Sequence, residues 1–224
     1  MTYGRPCADS PGRRLHALYA GAPVTTRAHV AVRWATCPFP AIAAQIPPAG
    51  RVLEVGCGHG LLSLYLALTA PELAVHGIDV DEAKLAQAQE AATRAALACS
   101  FERVKADHLP EGPWDAIAIV DVLYLLPAAD QIGLLARCAE ALAPGGTLVV
   151  KEMALSPRWK ARWNSAQETA AVRILRITEG SELTFLPPAE LAATMAGAGL
   201  EVHHRPLHRG YLHPHHLLVG RRRQ

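Results

Sequence analysis

A glycine-rich stretch, residues 56–60, constrains this chain most, because glycine occupies every second position in it. It follows a short β-rich run, residues 51–55, and precedes an apolar segment that begins at Leu61 and has a helical pattern. Glycines at a strand-to-helix junction permit positive φ and let the backbone approach a ligand closely. The sequence therefore predicts a ligand-binding loop. Its spacing is GxGxG, which disfavours a nicotinamide-dependent dehydrogenase with the usual GxGxxG.

Short apolar runs alternate with helical patterns downstream of this loop. Such alternation is typical of βαβ units and a parallel sheet. Asp81 is a suitable N-cap for the helix that follows the second run, and Pro144-Gly145-Gly146 is expected to end the helix before the fifth. The predicted strands are 51–56, 74–79, 99–105, 114–122 and 147–153, and the predicted helices are 61–70, 81–97 and 128–143.

The last third of the chain has a different pattern. Residues 157–178 are predicted to form one long helix, and Pro187-Pro188 opens another that ends near Gly199. Two strand-like runs, 200–207 and 213–220, are joined by a short loop and predict an antiparallel hairpin. The fold class is therefore α/β, with a doubly wound, mostly parallel seven-stranded sheet whose last strand is antiparallel.

The chain has 224 residues, which is enough for one domain with a short appendage. Prolines interrupt residues 1–47, so these are predicted to be a helical N-terminal arm or lid. Residues 48–224 are predicted to form the domain, with 156–188 as a substrate lid.

The composition limits which binding partners and which cellular compartment are expected. A net charge of +2 is too small for a general polyanion binder. Five scattered cysteines without a CxxC pair favour free thiols in a reducing cytoplasm, so a cytoplasmic location is expected. No secretory signal is visible near the N-terminus, and no uncharged apolar stretch is long enough to cross a membrane.

Several elements, in order, resemble a known family. Residues 52–60 resemble motif I of the class I S-adenosylmethionine-dependent methyltransferases, and Asp79 matches the acid of that family that binds the cofactor's ribose. Asp121 matches motif IV, and residues 142–148 are similar to the turn before the fifth strand. The resemblance implies S-adenosyl-L-methionine as cofactor, bound by Glu54, Gly56, Cys57, Gly58, Gly60, Asp79, Val80, Ala106, Asp107 and Asp121.

The resemblance implies methyl transfer to a small organic molecule, with oxygen favoured as the methylated atom. Methylation of RNA or protein stays open as an alternative, as does a non-catalytic S-adenosylmethionine-binding protein. The residues after Asp121 are Val-Leu-Tyr-Leu-Leu. They lack the Pro-Pro-aromatic motif of enzymes that methylate exocyclic base nitrogens, so no specific nucleic acid is expected. They also offer no second metal-ligand pair, so no metal is expected.

Histidines and two adjacent charges are the candidates for the acceptor side. The hairpin's direction returns its loop to the carboxyl edge of the sheet, so His208, His213 and His215 are candidates for a general base. Lys151 and Glu152 end the fifth strand and should point to opposite faces. Together with Trp159, Lys160 and Trp163 on the predicted next helix, they suggest a lid over a partly apolar substrate, with an anionic one left open. The oligomeric state stays open between monomer and homodimer.

Overall fold

The computed structural model describes residues 10–105, 108–153, 183–207 and 215–224. Three helices precede the sheet, and helices separate most of the strands that follow. In chain order the elements are α1 Pro11–Leu18, α2 Val24–Thr36, α3 Phe39–Ala43, β1 Ala49–Val55, α4 Leu61–Thr69, β2 Glu72–Asp79, α5 Glu82–Arg94, β3 Cys99–Arg103, β4 Trp114–Val120, a 3-10 turn Leu123–Leu125, α6 Ala128–Ala141, β5 Leu142–Met153, α7 Pro188–Gly197, β6 Leu200–Leu207 and β7 His215–Arg222.

The seven strands form one sheet in the order β3-β2-β1-β4-β5-β7-β6. Strands β1 to β5 pair in parallel, whereas β7 is antiparallel to both β5 and β6. The strand order reverses beside β1, between β1 and β4, which is where open α/β sheets bind ligands at their carboxyl edge. The predicted α/β fold with an antiparallel last strand is confirmed.

Side chains point alternately to the two faces of the sheet, so the core has two layers, one on each face. On β4, Ala116 and Ala118 pack towards α1, α3 and α4, whereas Ile117 and Ile119 pack towards α6 and α7. All four side chains are fully buried, because helices cover both faces of this central strand. This burial explains the nearly unbroken apolar run in its sequence.

Two features of the sequence were interpreted wrongly or missed. Helix α6 ends at Ala141, before Pro144-Gly145-Gly146, and β5 begins at Leu142. The strand passes through the glycines with a register irregularity opposite Trp114 and Ala116, and Gly145 has a φ of 75°. Helix α1 lies within the arm that was predicted to be helical, but its bounds were not predicted, although Pro11 lies at its start, where a missing N–H costs nothing. The predicted helix 157–178 lies outside the described residues.

The N-cap of α5 offers a direct test of this local structure. The carboxylate of Asp81 accepts hydrogen bonds from the backbone N–H groups of Ala83 and Lys84, both at 3.1 Å. We expect Asp81→Ala to lower the free energy of unfolding by about 1 kcal/mol, because two N–H groups lose their acceptor. Chemical denaturation measures this change. Asp130→Ala is the control. Asp130 lies in the first turn of α6 but is not its N-cap, which is Pro127, so this change should alter the free energy of unfolding by only about 0.3 kcal/mol.

Candidate active site

The glycine loop leaves β1 and is fixed to β2 by its backbone. The N–H groups of Gly56 and Cys57 both donate to the carbonyl of Ile78, at 2.8 and 3.0 Å. Gly56, Gly58 and Gly60 have φ values of 71°, 53° and 74°, which favour glycine over residues with a Cβ. Gly60 is the N-cap of α4. The three glycines thus turn the chain sharply from strand into helix.

Gly58 presents an open face. A Cβ placed on it would have Lys84 Cδ as its nearest neighbour, at 4.0 Å, whereas a Cβ on Gly56 would lie 2.4 Å from Val122 Cγ2. Gly56 is therefore required by packing against the turn after β4, and Gly58 leaves its backbone accessible. Such an exposed backbone at a helix start suits a ligand that approaches closely.

Asp79 lies at the end of β2, directly beside this loop. Its Oδ2 accepts the N–H of Gly58 at 2.7 Å, and its Oδ1 accepts the N–H of Asp81 at 2.9 Å. The neighbouring Val80 is exposed. The structure thus brings together the loop and the acid that the sequence predicts as a ribose ligand.

Glu54 and Cys57 support the loop from inside the protein. The buried Glu54 Oε2 accepts the Ser63 N–H at 2.9 Å and also the Ser63 hydroxyl, so it holds the first turn of α4. Burial raises the pKa of Glu54 to about 7. Burial also raises the pKa of the Cys57 thiol well above its usual range, so the thiol stays protonated at neutral pH. Both side chains shape the loop.

Asp121 stands at the centre of a buried charge cluster just beyond β4. Lys151 Nζ lies 2.6 Å from both of its carboxylate oxygens, and Arg33 Nη1 lies 2.7 Å from Oδ2. The side chains of Asp121 and Lys151 are 2% and 0% exposed, and that of Arg33 is 28% exposed. Burial alone would raise the pKa of Asp121, but the two cations hold it below its usual range.

Glu152 approaches the same turn from the other face of β5. Its Oε1 accepts the N–H groups of Val122 and Leu123, at 3.0 and 2.9 Å. Among the described residues, Oε2 is buried without a hydrogen-bond partner. Burial and the nearby Asp121 carboxylate raise the pKa of Glu152 to about 8, against the opposing effect of the two backbone bonds. This carboxyl group therefore holds its proton more tightly than an exposed glutamate does.

The N-terminal arm lies across this edge of the sheet. The hydroxyl of Tyr19 donates to the carbonyl of His59 in the glycine loop, and the ring of His29 packs against that of His59 with centroids 4.9 Å apart. Burial, and then the proximity of His29, lower the pKa of His59 to about 4. Together with Arg33 on Asp121, these contacts join α1 and α2 to the loop and to the end of β4. The arm therefore covers part of the site.

The predicted histidine bases are only partly within the described residues. His215 begins β7 and is buried, and its Nε2 lies 2.9 Å from the carbonyl oxygen of Thr36 at the end of α2. His208 and His213 lie outside the described residues, as do Ala106, Asp107 and positions 156–182 of the predicted lid. The described end of that lid contacts the site, because Phe185 stacks on Tyr124 with centroids 5.1 Å apart.

The sequence did not identify Arg33 as a site residue. It lies in the proline-interrupted arm, far from the motifs in sequence, and nothing in its local pattern indicates a partner. Within the described ranges, no group of three or more His, Cys, Asp or Glu side chains could hold a metal ion. In the same ranges, no helix is long and apolar enough to cross a membrane.

Comparisons with known proteins agree with this geometry. Residues 52–146 match a family model described as a methyltransferase domain. A ubiquinone biosynthesis O-methyltransferase of Xanthomonas axonopodis pv. citri is 32% identical over 201 residues, which cover 87% of this chain and 74% of the relative. A protein of the same name from Pseudomonas aeruginosa is 28% identical over 157 residues, covering 68% of this chain and 65% of the relative.

Solved structures share the fold at low sequence identity. Magnesium protoporphyrin IX methyltransferase from Synechocystis, solved with bound S-adenosylhomocysteine, superposes with a TM-score of 0.65 at 17% identity and covers 94% of this chain and 93% of its own. An O-methyltransferase family protein from Burkholderia thailandensis gives a TM-score of 0.67 at 20% identity, covering 83% of this chain and 55% of its own.

The chain belongs to the class I S-adenosylmethionine-dependent methyltransferases. It is an enzyme of that family, and its cofactor is S-adenosyl-L-methionine. The glycine loop fits this cofactor, because Gly58 leaves an open backbone face and the Asp79 carboxylate lies beside it.

The buried cluster predicts a large cost for removing one cation. Lys151→Met leaves Asp121 inside the protein with Arg33 as its remaining described cationic partner, so we expect about 3–5 kcal/mol less stability. Lys84→Met is a control, because Lys84 pairs with Asp81 at 3.1 Å and both side chains remain partly exposed, so water screens the pair and its contribution should be about 0–1 kcal/mol. Urea denaturation of both variants measures the difference, and equal losses would contradict a buried role for Lys151.

Proposed function

We propose that this methyltransferase transfers the methyl group to a hydroxyl oxygen of a small organic molecule. The observation that carries this proposal is the similarity, over 87% of the chain, to a relative named as an O-methyltransferase. The position of the charged groups supports it, since Asp121 and Glu152 lie at the carboxyl edge of β4 and β5, beside the glycine loop's partner Val122. Acceptors approach the cofactor at that edge in this type of sheet.

The cofactor supplies a methyl carbon already activated by a sulfonium, so the protein must chiefly align the acceptor and manage its proton. We propose that the backbone of residues 56–60 and the carboxylate of Asp79 hold the cofactor, with Val80 beside them and Ala106 and Asp107 near the adenine. Glu54 and Cys57 would act by shaping the loop. Asp121 would act through the ion pairs that fix the end of β4 and the arm.

A small acceptor also agrees with the way the arm covers the site. Helix α2 lies across the edge and is joined to it through Arg33 and through Thr36, whose carbonyl lies beside His215. A covered site excludes water and suits an acceptor that can be enclosed. The near-neutral net charge favours this function over RNA methylation.

Cofactor binding can be measured without knowing the acceptor. We expect Asp79→Ala to weaken S-adenosylhomocysteine binding by about 1–3 kcal/mol, because ribose hydroxyls lose a charged acceptor. Isothermal titration calorimetry measures this change. Asp115→Ala is the matched control, since Asp115 accepts the Arg51 N–H at the opposite edge of the sheet and should leave the affinity unchanged. An Asp79→Ala variant that binds S-adenosylhomocysteine as tightly as wild type would show that Asp79 does not bind the cofactor.

The methylated atom can be tested with simple ring compounds. We expect the enzyme to convert catechol or 3,4-dihydroxybenzoate to a methyl ether, with formation of S-adenosylhomocysteine, and to leave o-phenylenediamine unmodified. Mass spectrometry of the products distinguishes oxygen from nitrogen as the acceptor. Methylation of the diamine alone, or of none of the three compounds, would contradict the proposed hydroxyl acceptor.

A further inference from the structure

Two acids meet at the carboxyl edge of β4 and β5 in opposite surroundings. Asp121 has two cations on its carboxylate, so it is held ionised, with little tendency to take up a proton. Glu152 has two backbone N–H groups on Oε1 and, among the described residues, no partner on Oε2. When different surroundings push the pKa values of two neighbouring acids apart, the acid with the higher proton affinity is the candidate for acid–base chemistry.

We propose that Glu152 is the general base of this enzyme, accepting the proton of the acceptor hydroxyl at Oε2. This inference rests on the proposed function, because a hydroxyl acceptor has a proton to lose. Oε1 is fixed by the N–H groups of Val122 and Leu123, so the carboxyl group has one anchored oxygen and one that remains for the acceptor. The anchor is at the turn beyond β4, where Val122 also contacts the glycine loop.

The proposed step moves one proton to Glu152 and one methyl group to the acceptor oxygen. As the O–H bond of the acceptor breaks, its proton bonds to Oε2 of ionised Glu152, and the oxygen lone pair forms the new bond to the methyl carbon. The C–S bond of the sulfonium breaks, and its electron pair stays on sulfur. The products are a methyl ether, S-adenosylhomocysteine and protonated Glu152, which then releases the proton to water.

Other groups in the described part of the site suit this role less well. Glu54 accepts hydrogen bonds from Ser63 in α4, and the carboxylate of Asp121 forms ion pairs with Arg33 and Lys151. His215 Nε2 lies beside the Thr36 carbonyl on the arm. The Tyr124 phenol is half-buried, and desolvation and then the Asp121 carboxylate raise its pKa, so it stays protonated.

The pH dependence separates Glu152 from a histidine base. The charges around Glu152 are Asp121 at the end of β4 and Lys151 on β5, with Tyr124 in the following turn and Arg33 reaching in from α2. With a pKa of about 8 for Glu152, the rate constant should rise with pH up to about 8. A histidine with an ordinary pKa would give a plateau from about pH 7.

Glu152→Gln is the decisive variant, because its amide oxygen can still accept from Val122 and Leu123 while its amide nitrogen accepts no proton. With catechol and 3,4-dihydroxybenzoate as probes, we expect kcat to fall by about 10²–10⁴-fold and the rise towards pH 8 to disappear. S-adenosylhomocysteine affinity should be unchanged. Glu140→Gln, which removes an exposed carboxylate on α6, should retain wild-type kcat and pH profile.

A second readout does not depend on activity. A folded-state pKa raised from 4.5 to about 8 means that the native protein holds a proton that the unfolded chain has released. This contribution to stability is therefore lost as pH rises from about 5 to 8, by up to about tenfold in the folding equilibrium constant per pH unit. Glu152→Gln should lack this loss, so its stability relative to wild type should increase over that range, unlike that of Glu140→Gln.

The outcomes separate the two proposals. A wild-type enzyme that methylates neither phenolic probe would contradict the proposed function and, with it, this inference. Phenol methylation that persists in Glu152→Gln would overturn the general base alone, as would loss of the pH-dependent rise in His215→Ala but not in Glu152→Gln. A constant stability difference between Glu152→Gln and wild type from pH 5 to 8 would also contradict a proton-holding Glu152.

Discussion

The ion pairs of Asp121 connect parts of the chain that would otherwise be independent. Arg33 reaches this carboxylate from the arm, and Lys151 reaches it from the neighbouring strand. The Asp121 carboxylate and the Lys151 ammonium are removed from bulk water, whereas Arg33 is partly exposed, so the two buried charges are stable only while they remain paired. Asp121 also has a φ of 57°, unusual for a residue with a side chain. The end of β4, the end of β5 and the position of the arm therefore depend on one another.

This dependence extends to the cofactor loop. Val122, the residue after Asp121, fills the space that a side chain on Gly56 would need, and its N–H is held by Glu152. The loop is held on its other side by Asp79, which accepts the Gly58 N–H. The glycine loop is thus positioned between the end of β2, through Asp79, and the turn after β4, through Val122.

Local chemistry explains which features could be predicted from the sequence. Strand β4 was recognised because burial on both faces requires a continuous apolar run, and the cap of α5 because Asp81 acts on N–H groups within three residues. The end of α6 was misplaced, because Pro144-Gly145-Gly146 can also be accommodated inside an irregular strand. The ion pair of Arg33 with Asp121 joins residues far apart in sequence, and no local pattern encodes such a contact.

For Lys151 and Glu152, the sequence pattern predicts orientation but not ionisation. Their alternation correctly places them on opposite faces of β5, since Lys151 binds Asp121 and Glu152 binds the backbone of the following turn. Their ionisation states could not be predicted from the sequence, because these depend on burial and on the partner that each side chain contacts. Lys151 neutralises a buried carboxylate, whereas Glu152 meets backbone N–H groups and retains its proton near neutrality. Adjacent charged residues thus differ in ionisation because one strand presents them to two different environments, and the same edge of the sheet carries one acid with a lowered pKa, Asp121, and one with a raised pKa, Glu152.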